Sequence, residues 1–218
     1  MWGLAVLAYA VAVFQRGSLA VSGLDFQHRF ATGAAELSVL AVLQLGVYAS
    51  MQVPVGLLLD RFGSRAMIAF GAVLMGVGQA VMAFSHLVPE AVAARVLVGA
   101  GDAMTFISAL RVVAAWFPSR RIPVLTQVTG ILGQLGQVIA AYPLVGLLRA
   151  VGWSASFAGA AVASGIVSLI ILAGLRETPA GRHVAPDREP GSVKRGLQES
   201  WSEPGTRMGL WTHFVNQF

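Results

Sequence analysis

Two ionisable side chains lie deep inside long apolar stretches, where a charge is costly. Arg16 lies roughly 18 Å along a helix from Leu4, and Asp102 lies about half-way between Glu90 and Trp116. A charge at the bilayer centre costs at least about 2.5–3.5 kcal/mol and needs a partner or water. Arginine is well suited to binding an anion, and a buried carboxyl can take up a proton. We predict that Arg16 belongs either to an anion site or to a structural ion pair, and that Asp102 is a candidate for taking up a proton.

Neutral polar side chains accompany these two charges. Tyr9 lies two turns before Arg16 on the same helix face, and three glutamine side chains share one face of a later apolar stretch, at 127, 134 and 137. We expect these amides either to line a polar cavity or to form hydrogen bonds between helices. The candidate substrate-binding residues are Arg16, Tyr9, Gln44, Tyr48, Gln134 and Gln137, with Asp102 as the candidate proton-coupling residue.

The composition shows which kind of protein must position these groups. Of 218 residues, 56% are hydrophobic and 11% charged, and there is no cysteine. Soluble domains carry about 25% charged residues, so a water-soluble globule is excluded. The four histidines lack ligand spacing, and neither a phosphate-binding loop nor a hydrolase motif occurs. We predict a protein that is not an enzyme, with no metal, no cofactor and no nucleic-acid partner.

Six apolar stretches have the length of a membrane-crossing helix, about 20 residues. They predict an all-α, polytopic membrane bundle, with spans near 3–23, 37–59, 66–85, 91–116, 123–148 and 154–175. We expect this bundle to occupy residues 1–176, followed by a linker with a surface helix near 193–201. The linker would cover 177–207, and the truncated start of a seventh helix 208–218, so we expect the chain to be a fragment.

Basic residues predict the orientation of the bundle. Arginine and lysine collect in cytoplasmic loops. With a cytoplasmic N-terminus, ten of them lie in inner loops and the tail, whereas the outer loops contain only Arg29 and Arg149. We therefore predict a multi-pass protein of the plasma (inner) membrane, with its N-terminus and the 177–207 linker in the cytoplasm.

Two short motifs carry a family resemblance. The loop after the second span reads Gly56-Leu-Leu-Leu-Asp60-Arg61-Phe-Gly63-Ser-Arg65. It resembles the G-x-x-x-D-R-x-G-x-R signature of the major facilitator superfamily at the position the family requires. The fourth span contains Arg95, Gly99 and Gly101, which resemble the family's second signature, R-x-x-x-G-x-G. We expect these signature residues to serve in gating or in structure.

Other residues resemble one branch of that family, the organic anion:cation symporters and the related nitrate-porter-like carriers. Asp102 follows the second signature, and Phe14-Gln15-Arg16 stands where the symporter branch usually has F-D-R. Gln15 in place of the aspartate removes one candidate proton site. Arg95 and Arg111 look structural, and we expect Arg111 to reach the inner surface or to meet Asp60.

A sequence repeat points to internal symmetry. Pro54 and Gly63 at the end of the second span match Pro143 and Gly152 at the end of the fifth, 89 residues later, and a Leu-Leu pair aligns between them. Sites three spans apart lie on opposite sides of a membrane, as an inverted 3+3 repeat requires. Chance similarity between helices rich in leucine and glycine is the alternative.

The resemblance implies secondary active transport of a small solute. In the family the first and fourth spans line a central cavity, so the resemblance also implies that Arg16 and Asp102 approach each other, either as a coupled anion and proton site or as a static ion pair. We expect proton-coupled symport of an anion by alternating access, together with a C-terminal half that completes the carrier. The expected partners are the solute, a proton and the lipid bilayer. Two alternatives stay open: a proton-coupled exporter of drugs or metabolites in the same superfamily, and a non-transporting half-protein that dimerises or scaffolds a partner.

Overall fold

The chain is helical throughout the part that the structure describes. The computed structural model describes residues 1–178, 198 and 201–217, and these contain no strand. The predicted all-α architecture is therefore confirmed. The helices are, in chain order, α1 (Trp2–Val21), α2 (Gly23–Phe30), α3 (Ala34–Ser50), α4 (Gln52–Phe84), α5 (Val88–Trp116), a 3-10 turn (Ser119–Arg121), α6 (Ile122–Gly174) and α7 (Pro204–Gln217).

The chain divides into two compact units, Met1–Arg182 and His183–Phe218. The predicted linker, 177–207, and its surface helix lie largely outside the described residues. In the second unit, α7 (Pro204–Gln217) includes most of the segment we assigned to the start of a further span. The domain boundaries at 176 and 207 stay a prediction.

Two long helices each contain a break at a glycine. α4 has 33 residues and α6 has 53, which is about 50 and 80 Å of helix against a hydrocarbon core of about 30 Å. Each contains one residue with non-helical dihedral angles, Gly63 in α4 and Gly152 in α6. By length and composition, four helical stretches of the described residues could cross a membrane, and α2 with α3 forms a bent fifth candidate. Dividing α4 and α6 at their glycines, and joining α3 to the first part of α4, gives segments at the positions of the six predicted spans.

The second predicted span runs through two helices, because α3 ends at Ser50 and α4 begins at Gln52. Met51 between them has helical dihedral angles, φ −77° and ψ −10°. Its N–H donates to the carbonyl oxygen of Val47 at 3.0 Å, and its own carbonyl oxygen accepts the N–H of Val55 at 2.8 Å. The backbone thus continues in helical conformation through residue 51, in agreement with the predicted span from 37 to 59.

The glycine breaks match the sequence repeat. Gly63 has φ 78° and ψ 170°, and Gly152 has φ 78° and ψ −178°. Positive φ favours glycine because it has no Cβ, and these are the two positive-φ glycines among the described residues. The 89-residue repeat therefore reproduces one backbone conformation at two turns.

Each of these turns is hydrogen-bonded to the last helix of the other repeat, near the end of that helix. The guanidinium of Arg65, just after the first turn, donates to the carbonyl oxygen of Leu172 near the end of α6. Trp153 Nε1, just after the second turn, donates to the carbonyl oxygen of Met82 near the end of α4, at 2.8 Å. The two donors are 88 residues apart in the chain and the two acceptors are 90 residues apart. Both separations differ from the 89-residue repeat by one residue, so the two hydrogen bonds are equivalent under the repeat.

A short helix occupies what the sequence indicated as a loop. α2 (Gly23–Phe30) is bent by 115° relative to α3. Phe26 is fully buried and stacks on Phe30 at 4.4 Å between ring centroids, and the ring of Trp153 lies 6.3 Å from that of Phe26. Arg29 Nε donates to the carbonyl of Ser85 at 3.0 Å. α2 is thereby packed against the ends of α4 and the last crossing.

Close helix contacts hold the centre of the bundle. A Cβ added to Gly71 in α4 would lie 2.6 Å from the carbonyl oxygen of Gly101 in α5, and one added to Gly99 would lie 2.7 Å from the carbonyl oxygen of Gln44 in α3. Side chains larger than hydrogen do not fit at such distances. The glycines of the second signature thus allow α5 to approach both neighbours and fix the position of Asp102.

Candidate anion site between α1, α3 and α5

An ion pair joins α1 to α5 inside the bundle. Arg16 Nη1 lies 3.3 Å from Asp102 Oδ2. The side chain of Asp102 is 1% exposed, whereas that of Arg16 is 23% exposed. Asp102 Oδ1 is buried and has no hydrogen-bond partner within the part of the chain that the structure describes. The predicted approach of these two groups is confirmed, and the carboxylate is only half satisfied by it.

Two tyrosines lie near this ion pair. Arg16 Cζ lies 6.0 Å from the centroid of the Tyr48 ring, within the range of a cation–π contact. Tyr9 is 6% exposed, and its ring packs 4.9 Å from that of Phe106 in α5, one helical turn after Asp102. The Tyr48 ring thus covers one side of the guanidinium, while part of the Arg16 side chain stays accessible.

The three glutamines predicted for the site have different surroundings. Gln44 is 3% exposed, and its Nε2 lies 3.5 Å from the main-chain oxygen of Arg16, so it braces α1. Gln137 in α6 packs on Gly17, because a Cβ added there would lie 2.7 Å from Gln137 Nε2. Gln134 is exposed, and no described contact joins it to Arg16. The structure therefore brings Gln44 and Gln137 to the flanks of Arg16.

A buried amide network lies behind the site. Gln15 is fully buried, and its Nε2 donates to the carbonyl of Ala160 at 2.7 Å and to Ser164 Oγ at 2.6 Å. Its Oε1 accepts from Gln79 Nε2 at 2.8 Å. Gln15 thus joins α1 to α4 and α6 rather than contributing to the Arg16 cluster. Sequence reasoning singled out neither Gln79 nor Ser164, although both are polar residues within apolar spans.

Arg95 is completely buried and belongs to the same network. Its Nη1 donates to Ser18 Oγ at 3.3 Å, and Ser18 Oγ also accepts from Gln79 Nε2 at 3.1 Å. Arg95 Nε and Nη2 have no partner among the described groups. The contact with α1 fits the structural role predicted for this signature arginine.

The residues of the first signature cluster at the Gly63 turn. Arg111 Nη1 lies 2.5 Å from Asp60 Oδ1, which confirms the expected pair. The carboxylate of Glu177 accepts the backbone N–H groups of Ser64 at 2.9 Å and Arg65 at 2.6 Å. Those two groups begin a helix, where free N–H donors favour a negative charge.

Two other members of that signature make weaker contacts. Arg61 Cζ lies 5.3 Å from the Phe62 ring centroid, and a Cβ on Gly56 would meet no atom within 4 Å. Glu177 was not singled out from the sequence. The signal available was an acid placed directly after the last apolar span.

A comparison with known families decides the assignment. The chain matches the Major Facilitator Superfamily over residues 5–218. This protein belongs to the major facilitator superfamily. Membership agrees with a membrane transporter rather than an enzyme, and it accounts for both signature motifs at their observed positions.

Several curated relatives of this chain are named for the transport of particular solutes. A relative from Agrobacterium vitis, named for tartrate transport, is 25% identical over 180 residues, covering 80% of this chain and 42% of the relative. The "Probable sulfoacetate transporter SauU" of Cupriavidus necator is 24% identical over 77% of this chain and 38% of its own length. The "Probable galactarate/D-glucarate transporter GudP" of Escherichia coli is 25% identical over 88% and 43%. The chain thus spans less than half the length of these relatives.

Solved structures share the fold. A crystal structure of a bacterial homolog of the human lysosomal transporter Spinster superposes with a TM-score of 0.75 at 17% identity, covering 93% of this chain and 49% of that one. At this identity the likeness concerns the fold alone. It confirms the all-α fold of the chain.

Proposed function

We propose that the natural protein containing this chain is a secondary carrier that moves a small organic anion by proton-coupled symport and alternating access. Arg16 binds the anion, and Asp102 carries the proton. The observation that supports this most directly is the 3.3 Å contact between them, in which Arg16 is partly accessible and Asp102 is buried with one oxygen unpartnered.

The proposed coupling follows from competition for one guanidinium. An incoming carboxylate or sulfonate binds Arg16 and weakens its contact with Asp102. A buried carboxylate without its counter-charge is unfavourable, so a proton from water binds to one of its oxygens and neutralises it. Arg16 stays protonated throughout. When the anion leaves, Asp102 releases the proton and the ion pair forms again.

The proposed substrate class is a small dianion with at least one carboxylate. Relatives are named for tartrate, sulfoacetate and galactarate or D-glucarate, and each of these molecules has two acidic groups on a short chain. Arg16 would bind one of them. Tyr48 and Gln134 are the candidates for hydrogen bonds to the rest of the solute, and the second acidic group would contact parts of the carrier that this chain does not supply.

The proposed setting is the plasma (inner) membrane. The N-terminus and the 177–207 linker would lie in the cytoplasm, since the basic residues of the inner loops favour that side. In this arrangement the Gly63 turn, with Asp60 and Arg111, faces the cytoplasm.

The test is uptake into proteoliposomes that contain a pH-sensitive dye. Wild-type protein should accumulate tartrate or galactarate under an inward proton gradient, with matching acidification of the interior. Asp102→Asn should abolish acidification while anion exchange continues, and Asp25→Asn, at an exposed acid in α2, should leave both unchanged. Proton-driven uptake that survives Asp102→Asn would refute the coupling. Extrusion of a second, drug-like dye without uptake of the anion would favour an exporter.

A further inference from the structure

The ring of Tyr9 occupies the space where Gly133 lacks a side chain. A Cβ added to Gly133 would clash with Tyr9 Cε1, and it would lie 2.7 Å from Cδ1 and 3.0 Å from Cζ. Carbon atoms in contact are normally about 3.5–4.0 Å apart. The ring and the bare backbone of α6 are therefore in direct contact, and no other side chain fits at 133 with Tyr9 in this rotamer.

Tyr9 is held on its other side as well. Its ring packs against Phe106 of α5 at 4.9 Å between centroids. The ring is thus clamped between α5 and α6, and its position relative to Arg16 depends on both contacts. Phe106 lies one helical turn after Asp102 on α5, and Asp102 is the partner of Arg16 at 3.3 Å. The Tyr9 ring therefore packs beside this ion pair, and moving the ring changes the surroundings of the guanidinium that faces Asp102.

In a neighbouring contact between α1 and α6, the glycine belongs to α1 and the side chain that packs on it belongs to α6. Gly17 of α1 receives Gln137 of α6, whose Cδ and Cγ would each lie 3.2 Å from an added Cβ. Arg16 therefore lies between a side chain of α1 that enters α6 and a side chain of α6 that rests on α1. By contrast, Gly130, one turn before Gly133, has no atom within 4 Å of an added Cβ.

We propose that Gly133 is a positioning residue of the anion site, which seats Tyr9 and through it orients Arg16 toward the solute. This inference rests on the proposed function of Arg16. It assigns to Gly133 an effect on the affinity for the anion rather than on the rate of the transport cycle. It also assigns to Tyr9 a role that depends on the absence of a side chain at 133.

The test compares tartrate uptake by the natural protein and four variants in proteoliposomes, normalised to the amount of inserted protein. Gly133→Ala should raise KM about threefold to tenfold, the range expected when a side chain is forced off its rotamer, with Vmax nearly unchanged. Gly130→Ala is the matched control and should leave KM unchanged. Tyr9→Ala should raise KM, and adding Gly133→Ala to it should have no further effect.

The outcomes separate this inference from the proposed function. If wild-type protein takes up anions but Gly133→Ala leaves KM unchanged, or raises it equally with and without the Tyr9 ring, Gly133 does not act through Tyr9. If Gly133→Ala fails to accumulate in the membrane, the Tyr9→Ala/Gly133→Ala pair must restore it, and failure to do so also overturns the inference. No anion uptake by wild-type protein would instead overturn the proposed function itself.

Discussion

Arg111 of α5 and Asp60 of α4 form an ion pair of 2.5 Å beside the Gly63 turn, 51 residues apart in the chain. Asp60 is 69% exposed and Arg111 35% exposed. Pairs this accessible contribute about 0–1 kcal/mol to stability. In the proposed carrier, a pair of this kind is therefore better suited to opening and closing during the cycle than to holding the fold together.

We expect Asp60→Asn to change transport more than stability. The melting temperature in detergent should shift by no more than about 2 °C. The uptake rate should fall, because the conformation in which Asp60 and Arg111 are in contact loses its ion pair. The exchanged pair Asp60→Arg/Arg111→Asp should recover part of the rate. A large loss of melting temperature with unchanged uptake would contradict this expectation.

The two repeat glycines should differ in their tolerance of a methyl group. Both have φ 78°, a conformation that costs a non-glycine residue of order 1–3 kcal/mol. At Gly63 an added Cβ would also lie 2.6 Å from Glu177 Oε1, whereas at Gly152 it would meet nothing within 4 Å. Gly63→Ala should therefore lower the melting temperature more than Gly152→Ala. Gly146→Ala, in an open helical position, serves as the control, and equal losses for all three would disprove the argument.

Removing the charge of Glu177 should loosen the Gly63 turn. Its carboxylate accepts two N–H groups at the start of a helix, an arrangement that contributes about 0.5–2 kcal/mol. Glu177→Gln keeps the shape of the side chain and loses the charge, so we expect a lower melting temperature and faster hydrogen exchange at Ser64 and Arg65. Unchanged exchange at these two amides would show that the contact is dispensable.

Gln15 should matter for stability but not for anion affinity. Gln15→Leu removes the hydrogen bonds of Gln15 Nε2 to Ser164 Oγ and to the Ala160 carbonyl, and that of Gln79 Nε2 to Gln15 Oε1. Each such bond contributes about 0.5–1.5 kcal/mol, although Gln79 Nε2 keeps its bond to Ser18 Oγ. KM for the anion should stay within about twofold because Gln15 faces α4 and α6. A raised KM with an unchanged melting temperature would mean that Gln15 belongs to the anion site.

Some of the site was predictable because membranes make charge expensive. Arg16 and Asp102 had to find partners in an apolar span, and the family resemblance implied that their two spans line one cavity. Asp60 and Arg111 were predicted for a similar reason, from depth and loop position. The Gly63 and Gly152 turns were predictable because a repeated glycine at the end of a span has few other uses.

Other features depend on how each helix is rotated about its axis, which hydropathy does not fix when every face is apolar. Gln15 could have faced Arg16 or the helices behind it, and only packing decides for Gln79 and Ser164. The contact between Tyr9 of α1 and Gly133 of α6 also depends on helix rotation, because the Tyr9 ring packs on backbone where Gly133 has no side chain. α2 was missed because eight residues with a charged middle look like a loop until Phe26 and Phe30 are seen buried.

The reciprocal hydrogen bonds at Arg65 and Trp153 also bear on how such a bundle arises. A single copy of the three-helix unit would present a hydrogen-bond donor after its turn and a carbonyl near its end, each without the partner that the other unit provides. Two copies in opposite orientation satisfy both at once, as the two halves of an isologous dimer do. The single chain thus has the self-complementary geometry of a homodimer. The donor is a guanidinium at Arg65 and an indole N–H at Trp153.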